Sequence, residues 1–557
     1  MKNIETFVSA KEYSLVAEIL SEIEPKEASS ILFSLSEEDF LAVCREIEPR
    51  VLAEFLPYFN EEKLTALIDA LNYTELGAVF SEIEPEQKVA VLKALPAELA
   101  VRVLSPEDVG MLLHSLDLKY LKPLLAEMNA IDAARALEAV EEEDLPLLFR
   151  LLPKDLAAEA FVEIDSDKQE TLIGKLNNLE IHRVMNDLFL DDIADILEEM
   201  PANVVKKLLA GCDKETRSRV NELLKYPKDS AGSIMTVEFV SLRPSMTVDQ
   251  AFDKIRKTAI DKETIYTCYV VDEKNYLVGI VSAKELLLSQ KDSLIEDVME
   301  TNFAYAVTTD DKEQAANLLK EYSLLAIPVV DEEKRLVGIV TVDDAIDVIE
   351  EENTEDIEKM AAILPSEKPY LKTSVFSIWL KRIPWLLILM VSATFTGLIL
   401  NTYESKLAVI STVLFACVPM IMDTGGNAGS QASVTVIRAL ALNELSTKDA
   451  FRVLWKEVRA SVLLGLTLAL ACFGKLMLID NLLFGYADYT PFTCFVVSLA
   501  LACTVVVAKL VGCTLPLLAK KAKLDPAVVA SPFITTVVDA VSLIVYCSLA
   551  VALLGNV

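Results

Sequence analysis

Hydrophobic and polar positions along the chain fall into three regimes. Between residues 1 and 225, apolar residues recur at helical spacing in short stretches. These stretches share their punctuation: Ile23-Glu24-Pro25, Ile47-Glu48-Pro49, Ile83-Glu84-Pro85, Leu95-Pro96, Leu152-Pro153 and Met200-Pro201. Proline cannot continue a helix interior but suits its first turn, so each mark separates two helices. Ser36, followed by Glu37, Glu38 and Asp39, reads as a cap and an acidic first turn. The recurrence is irregular, which predicts a short superhelical stack rather than a strict repeat, with a plain helical bundle as the alternative.

Over residues 234–349 the period changes. Val270–Val281 and Val329–Val340 match each other at an offset of 59 residues, and each reads as a buried strand, a polar turn and a second strand. Helical patterns precede and follow each pair, giving a tandem β-α-β-β-α unit. Residues 343–364 then form a helix crowded with Asp343, Asp344, Asp347, Glu350, Glu351, Glu352, Glu355, Asp356 and Glu358. Like charges at i,i+4 repel, so this helix is either a solvated face or a cation site. From Ile383 onward come apolar runs at about 383–400, 407–440, 460–478, 491–518 and 526–554. About 20 apolar residues cross a hydrocarbon core, so five spans are expected.

Composition sharpens the division. The 557 residues are 53 % hydrophobic with a net charge of −33, and the mean hydropathy is +0.37. From Pro369 to Val557 there are 14 basic and 9 acidic residues, against 38 and 76 in residues 1–368. An acidic soluble portion is thus joined to an apolar, mildly basic one. Such an acidic surface repels phosphate backbones, so no nucleic-acid partner is expected. Of the nine cysteines, six lie in the apolar part without metal-type spacing, and they read as small apolar residues. His114 and His182 are the only histidines and sit in helical patterns. Met1–Ala10 carries Lys2 and Glu5 and no long apolar run, so no signal sequence is expected.

The positive-inside rule orients the spans. Lys381 and Arg382 precede the first; Arg438, Lys448, Arg452, Lys456 and Arg459 lie between the second and third; Lys520, Lys521 and Lys523 lie between the fourth and fifth. Glu404 and Lys406, and Asp480 and Asp488, fall in the opposite loops. This places a multi-pass protein in the plasma membrane, N-terminal domains in the cytoplasm and C-terminus outside.

Two features of the apolar part carry chemistry. Asp539 lies near the middle of the last span, where a carboxylate is costly unless it faces a partner or a wet cavity; such acids usually mark ion or proton paths, with an internal hydrogen bond or ion pair that only holds helices together as the alternative. Asp423–Gln431 interrupts the second span with three glycines among nine residues, which predicts a broken helix. Freed carbonyls there, with Asn427 and Gln431, would supply oxygen ligands beside Gly425 and Gly426; close helix packing through small residues is the alternative. One carboxylate with neutral oxygens is a hard-ligand set, suited to a hydrated divalent ion such as Mg²⁺.

The paired segment, with its leads Ser233-Ile234-Met235-Thr236 and Asp297-Val298-Met299, resembles a pair of CBS domains. The stretches Pro419…Thr424-Gly425-Gly426-Asn427-Ala428-Gly429-Ser430-Gln431…Ile437-Arg438-Ala439-Leu440-Ala441 and Asp525-Pro526-Ala527…Pro532…Thr535…Asp539 resemble the signature of MgtE-type magnesium channels. That resemblance covers the whole chain. It implies an all-α superhelical N domain over 1–228, α/β CBS domains over 229–292 and 293–349, an acidic connecting helix over 350–377, and an all-α five-helix transmembrane domain over 378–557. It also implies a homodimer in the lipid membrane, with the ion path at the subunit interface lined by spans two and five. Asp539 would then be the pore carboxylate for hydrated Mg²⁺, with Gly425, Gly426, Asn427, Gln431 and Asp525 lining the pore. Sensor carboxylates carry over onto Asp311 and Glu313, onto Asp344, Asp347, Glu352, Glu355 and Asp356, and onto Asp191 and Asp195. Ser323, before Ile327-Pro328-Val329, and Ser531, before Pro532, depart from the family pattern at an expected acid and an expected amide.

The resemblance implies Mg²⁺ uptake, closed by cytosolic Mg²⁺ on the N and CBS domains. A broader Co²⁺/Mn²⁺ transporter is an alternative. So is a membrane-anchored nucleotide sensor: CBS pairs often bind adenosine nucleotides such as ATP, and Thr341 and Asp344 have a Thr-x-x-Asp spacing that can hold a ribose. The sensor reading leaves Asp539 unexplained. No nucleophile–base constellation or phosphate loop points to an enzyme. An inside-negative potential drives a divalent ion inward by about 4.6 kcal/mol per 100 mV, and no proton relay is evident beyond Asp539, which favours a passive channel.

Overall fold

The computed structural model describes residues 2–115, 118–366, 370–371, 373–411, 413–442, 444–528 and 531–555. The chain divides into two compact units, Met1–Ala345 and Ile346–Val557.

Among the described residues of the first unit, nineteen short α-helices run between Lys2 and Leu223. Alternate helices stack: Tyr13–Ser21 packs on Glu37–Glu46, and Ala130–Ala139 packs on Lys154–Glu163. The punctuation acts as its chemistry dictates. Pro25, Pro49 and Pro85 occupy the first turns of their helices, and the Ser36 hydroxyl accepts the Asp39 N–H at 3.2 Å. Leu20, Leu32, Phe40, Leu52 and Phe55, on the early helices, are all buried. Helix α1 (Leu190–Glu199), near the end of the stack, buries Leu190, Ile193, Ile196 and Leu197.

Two three-stranded sheets follow. β1 (Ser241–Leu242) pairs parallel with β2 (Thr267–Val271), which pairs antiparallel with β3 (Leu277–Ser282), Tyr269 facing Ile280. β4 (Ala306–Val307), β5 (Ala326–Val330) and β6 (Leu336–Thr341) repeat the pattern with Val329 facing Gly338. The sequence repeat has a common turn mechanism. The Asp272 carboxylate accepts the N–H groups of Lys274 and Tyr276, and Asp331 accepts those of Glu333 and Arg335. Each Asx-type turn lets Asn275 or Lys334 take a positive φ. In the second repeat, α2 (Lys312–Tyr322) lies between β4 and β5 and ends at Ser323, whose φ of 53° makes a left-handed cap. β6 runs directly into the acidic helix α3 (Val342–Met360). The acidic helix thus begins and ends close to the 343–364 read from the sequence, and it starts inside the second repeat, ahead of the 350–377 that the resemblance implied for the connecting helix.

The second unit contains five long helices among the described residues: α4 (Val375–Ile410), α5 (Val413–Ala441), α6 (Ala450–Lys475), α7 (Pro491–Lys521) and α8 (Ser531–Leu554). Five spans were expected; among the described residues, four segments are long and apolar enough to cross a membrane, Val375–Leu407, Thr447–Leu483, Pro491–Lys521 and Pro532–Leu554, and α5, in the place of the expected span 407–440, is not among them. Glu404 and Lys406, expected in a loop, lie inside α4. A π-helical segment, Leu476–Leu483, extends α6. Ile421, Val497, Ala500, Val505, Ile534, Val538 and Tyr546 form the core between α5, α7 and α8. The Tyr546 hydroxyl inside it donates to the Leu414 carbonyl at 2.8 Å. The cysteines of this unit are free thiols.

α5 corrects one expectation. The segment Asp423–Gln431 does not break the helix; Val413–Ala441 is continuous through all three glycines. Each glycine costs about 1 kcal/mol in a helix relative to alanine. Tertiary packing offsets that cost here, because missing Cβ atoms let neighbouring helices approach. A Cβ on Gly512 of α7 would run into the Gly429 carbonyl, so the two backbones meet where neither has a side chain.

Candidate ion path and cation-sensing cluster

The ion-path candidates converge on α5 and α8. Asp539 Oδ1 is buried and has no hydrogen-bond partner. A Cβ on Gly426 would fall 3.1 Å from that oxygen, so the glycine makes the room the carboxylate occupies. One residue earlier, a Cβ on Gly425 would fall 2.5 Å from Ser542 Oγ and 3.0 Å from Thr504 Cγ2. Thr504 Oγ1 on α7 is likewise buried without a partner. Unsatisfied buried oxygens are rare in native proteins and call for an explanation such as an ion or water. Asp423 lies close enough to Asp539 for the carboxylates to repel. Asp423, Asn427, Gln431, Thr435 and Arg438 form one exposed polar stripe along α5 at near-helical spacing.

Asp525 is placed differently from the other pore candidates. Its carboxylate accepts the Ala527 N–H at 2.8 Å and the Lys359 ammonium at 3.0 Å. Lys359, on the last turn of α3, also pairs with Glu355 at 2.5 Å. Partial burial opposes the Lys359 charge, but the two carboxylates outweigh it and hold the ammonium above the usual lysine range. Asp525 therefore ties the end of the acidic helix to the turn before α8. The side chain of Ser531, one of the two departures, lies outside the described residues.

The sensing candidates lie mainly in the first unit. Asp191, Asp192 and Asp195 on α1 share a neighbourhood with Asp344 at the start of α3 and with Glu263. Asp191 Oδ1 is buried without a hydrogen-bond partner. Burial, then repulsion from Asp192, Asp344 and Glu263, pushes the Asp191 carboxyl up to about 8. Burial with Asp344 and Asp192 beside it pushes Asp195 up to about 7. Burial with Asp344 nearby raises Asp192 to about 6, and burial with Asp343, Asp192 and Asp344 nearby raises Glu263 to about 7. One acid of this region is already satisfied: Glu238 accepts from the Thr236 hydroxyl at 3.0 Å and from the Val237 N–H at 3.2 Å, and pairs with Arg219 at 3.6 Å.

Among the described residues, no group of three or more acids closes to direct metal-ligand spacing. The crowd of α1 and α3 carboxylates fits a cation that keeps its water shell better than a stripped one. The other sensor candidates have their own placements. Asp311 caps α2, accepting the Glu313 N–H at 2.9 Å, and Glu313 accepts from Asn317 at 3.4 Å. Asp347, Glu352, Glu355 and Asp356 follow Asp344 along α3. The Thr341 hydroxyl and N–H both point to the Asp344 carboxylate, so the Thr-x-x-Asp pair caps the start of α3.

Residues 418–549 match the family described as divalent cation transporter, MgtE. Residues 71–145 and 128–229 match the MgtE intracellular N domain, and 231–292 and 295–351 match the CBS domain. The magnesium transporter MgtE of Thermus thermophilus is 37 % identical over 445 residues, covering 79 % of this chain and 96 % of that protein. The chain belongs to the MgtE family. The magnesium transporter MgtE of Bacillus subtilis is 31 % identical over 82 % of this chain and 98 % of its own length. A crystal structure of the cytosolic domain of the Mg²⁺ channel MgtE in complex with ATP is 36 % identical, covering 43 % of this chain and 98 % of that one, with a TM-score of 0.41. The MgtE intracellular N domain is matched twice in overlapping stretches, in keeping with the long helical stack.

Sequence reasoning missed several participants. Asp192 and Glu263 join the acid cluster only through folding, and nothing in their local sequence sets them apart. Lys509 and Glu457 form an ion pair between α7 and α6 at 3.2 Å; Lys509 is legible as a charge inside the apolar run 491–518, whereas Glu457 sits among the basic residues before the run 460–478 and carries no such signal.

Proposed function

We propose that the chain is a passive Mg²⁺ channel of the plasma membrane, with Asp539 as the carboxylate that holds the hydrated ion. The single observation that carries this reading is the buried, unpartnered Asp539 Oδ1 beside Gly426. A lone carboxylate with neutral oxygens binds a water-clad divalent ion without stripping it, so the ion also leaves. The exposed polar stripe of α5 is unfit for lipid, which supports a homodimer in which two such stripes line the path. The N-terminal unit is cytoplasmic and the C-terminus is outside, following the basic residues between the spans.

Cytosolic Mg²⁺ closes the channel. Without a cation, Asp191, Asp192, Asp195 and Glu263 are held near one another and near Asp344, and burial first, then repulsion from these neighbours, raises the four carboxyls. Hydrated Mg²⁺ between them replaces repulsion with attraction and fixes Asp344, the start of α3. Closure requires only that the closed arrangement bind Mg²⁺ more tightly than the open one. Asp347, Glu352, Glu355, Asp356, Asp311 and Glu313 supply further, weaker positions. ATP is a second ligand of the CBS pair in this reading; a ribose at Thr341 and Asp344 exchanges for the hydrogen bond they now share.

Mg²⁺ entry into liposomes containing the purified chain, followed with an internal Mg²⁺ indicator, tests the reading. Entry that depends on Asp539 and falls as Mg²⁺ rises on the cytoplasmic side is expected. Absence of entry, or Mg²⁺ entry unchanged in Asp539→Ala, overturns it.

A further inference from the structure

The membrane-spanning unit buries a second charged group that the path around Asp539 does not use. Lys509 of α7 is 7 % exposed, and its ammonium lies 3.2 Å from Glu457 Oε2 on α6. Both side chains line a cavity of about 660 Å³, whose wall on α5 includes Asn427, Ser430, Gln431 and Thr435. Asn427 and Gln431 belong to the exposed polar stripe of α5, so the cavity opens from the same face as the proposed path.

A buried ion pair is weak evidence for stability, since well-packed apolar residues of similar volume do as well or better. Holding α6 against α7 therefore does not explain why two charges are kept here. The cavity wall offers another reason. Two amides, two hydroxyls and one carboxylate repeat the hard-oxygen character of the Asp539 neighbourhood, with an ammonium in the place a cation would take.

We propose that Glu457, with the side-chain oxygens of Asn427, Ser430, Gln431 and Thr435, forms a second site for a hydrated hard divalent cation, and that Lys509 is its tethered competitor. The inference rests on the reading of this unit as a divalent-cation path. A bare Glu457 would add a second carboxylate beside the path, and more carboxylates hold a divalent ion longer; conduction needs sites that are weak enough to leave. The Lys509 ammonium, always present at high local concentration, keeps Glu457 neutralised between ions and takes it back after each one. An arriving ion displaces the ammonium for a moment instead of meeting a bare carboxylate.

The test uses the full-length chain and Mn²⁺ as a hard, spectroscopically visible probe, its bound number counted by electron paramagnetic resonance. Lys509→Met keeps the length of the side chain and removes its charge. It should hold one more tightly bound Mn²⁺ per chain than the unaltered protein, at least tenfold tighter, and Lys509→Met/Glu457→Gln should lose it. An unchanged count in Lys509→Met overturns the proposal. Should Lys509→Met fold only when divalent ions are supplied, and Lys509→Met/Glu457→Gln fold without them, that also supports it. Should Lys509→Met fail to fold in either condition, Glu457→Gln decides through Mg²⁺ flux. With the ammonium left unneutralised beside the path, flux should drop at least tenfold, and flux equal to the unaltered protein overturns the proposal. If the unaltered protein carries no Mg²⁺ at all, the channel reading fails by itself, while the Mn²⁺ count still reports on the site.

Discussion

Asp191 and Asp539 each bury a carboxylate oxygen that no hydrogen bond satisfies, and they do so in opposite surroundings. Asp191 sits in a crowd in the first unit: Asp192, Asp344 and Glu263 are its acidic neighbours, and Asp195 on the same helix shares Asp192 and Asp344 with it. Asp539 is nearly alone in an apolar helix, with Asp423 as its acidic neighbour. In the proposed function, the number of carboxylates sets what each place does with a divalent ion. A crowd gains much from a cation and gives it up slowly, which suits a sensor. A single carboxylate among neutral oxygens gains less and releases the ion readily, which suits a path.

The largest effect should come from the lone acid. Asp539→Ala removes the only charge its helix offers the ion, and Mg²⁺ flux should fall by about two orders of magnitude or more, the scale set by a few kcal/mol of lost ion stabilisation. Equal amounts of folded protein in the membrane make the comparison fair. Gly426→Val should come close to that effect. Its Cβ would fall 2.8 Å from Thr535 Cγ2 and 3.1 Å from Asp539 Oδ1, so it crowds the carboxylate itself. Normal conduction by the valine variant would show that this approach serves packing alone.

The crowded acids predict a pH dependence, and its sign follows from their raised pKa values. Between about pH 4 and pH 8 the folded form of Asp191, Asp192, Asp195 and Glu263 binds more protons than the unfolded chain. These groups therefore make the metal-free soluble part less stable as pH rises through that window. Mg²⁺ competes with the same protons, so its stabilising effect should grow from pH 6 to pH 8.5. Thermal melts with and without Mg²⁺ at constant ionic strength measure both trends. A Mg²⁺ effect independent of pH would detach the raised carboxyls from ion binding.

The smallest effect should be at Lys359. Its bonds to Glu355 and Asp525 are partly exposed, with side-chain exposures of 25 %, 36 % and 39 %. Lys359→Met should cost no more than about 1 kcal/mol of stability, measured by denaturant titration of the purified chain. It should still alter how strongly Mg²⁺ closes the channel, since the tie between the acidic helix and the turn before α8 would then depend on a bound cation.

How much of this was legible in the sequence differs between the same two regions. The paired strand segments announced themselves by repetition, and Asp272 and Asp331 show why: each local turn needs its own aspartate. Asp539 was legible because a charge in an apolar run is its own signal. The glycines of α5 were read in the wrong direction. Propensity argued for a broken helix, and the deciding term was the approach of Ser542, Thr504, Val538 and the Gly512 backbone, which a local reading does not contain. The acid cluster was half legible: Asp191, Asp195 and Asp344 carried over by resemblance, whereas Asp192 and Glu263 enter through contacts between distant segments. Lys509 and Glu457 show the converse, two charges visible in the sequence whose meaning depends on facing each other across a cavity.

The division between one acid that carries the ion and several that sense it has a direct test. Mg²⁺ flux into liposomes should be compared for Asp539→Asn and for Asp191→Asn/Asp195→Asn, each at low and at high Mg²⁺ on the side of the soluble unit. Asp539→Asn should conduct poorly at both concentrations. Asp191→Asn/Asp195→Asn should conduct like the unaltered chain at low Mg²⁺ and continue to conduct at high Mg²⁺, where the unaltered chain closes. Closure of that double variant at the same Mg²⁺ concentration as the unaltered chain, or full conduction by Asp539→Asn, would contradict the account.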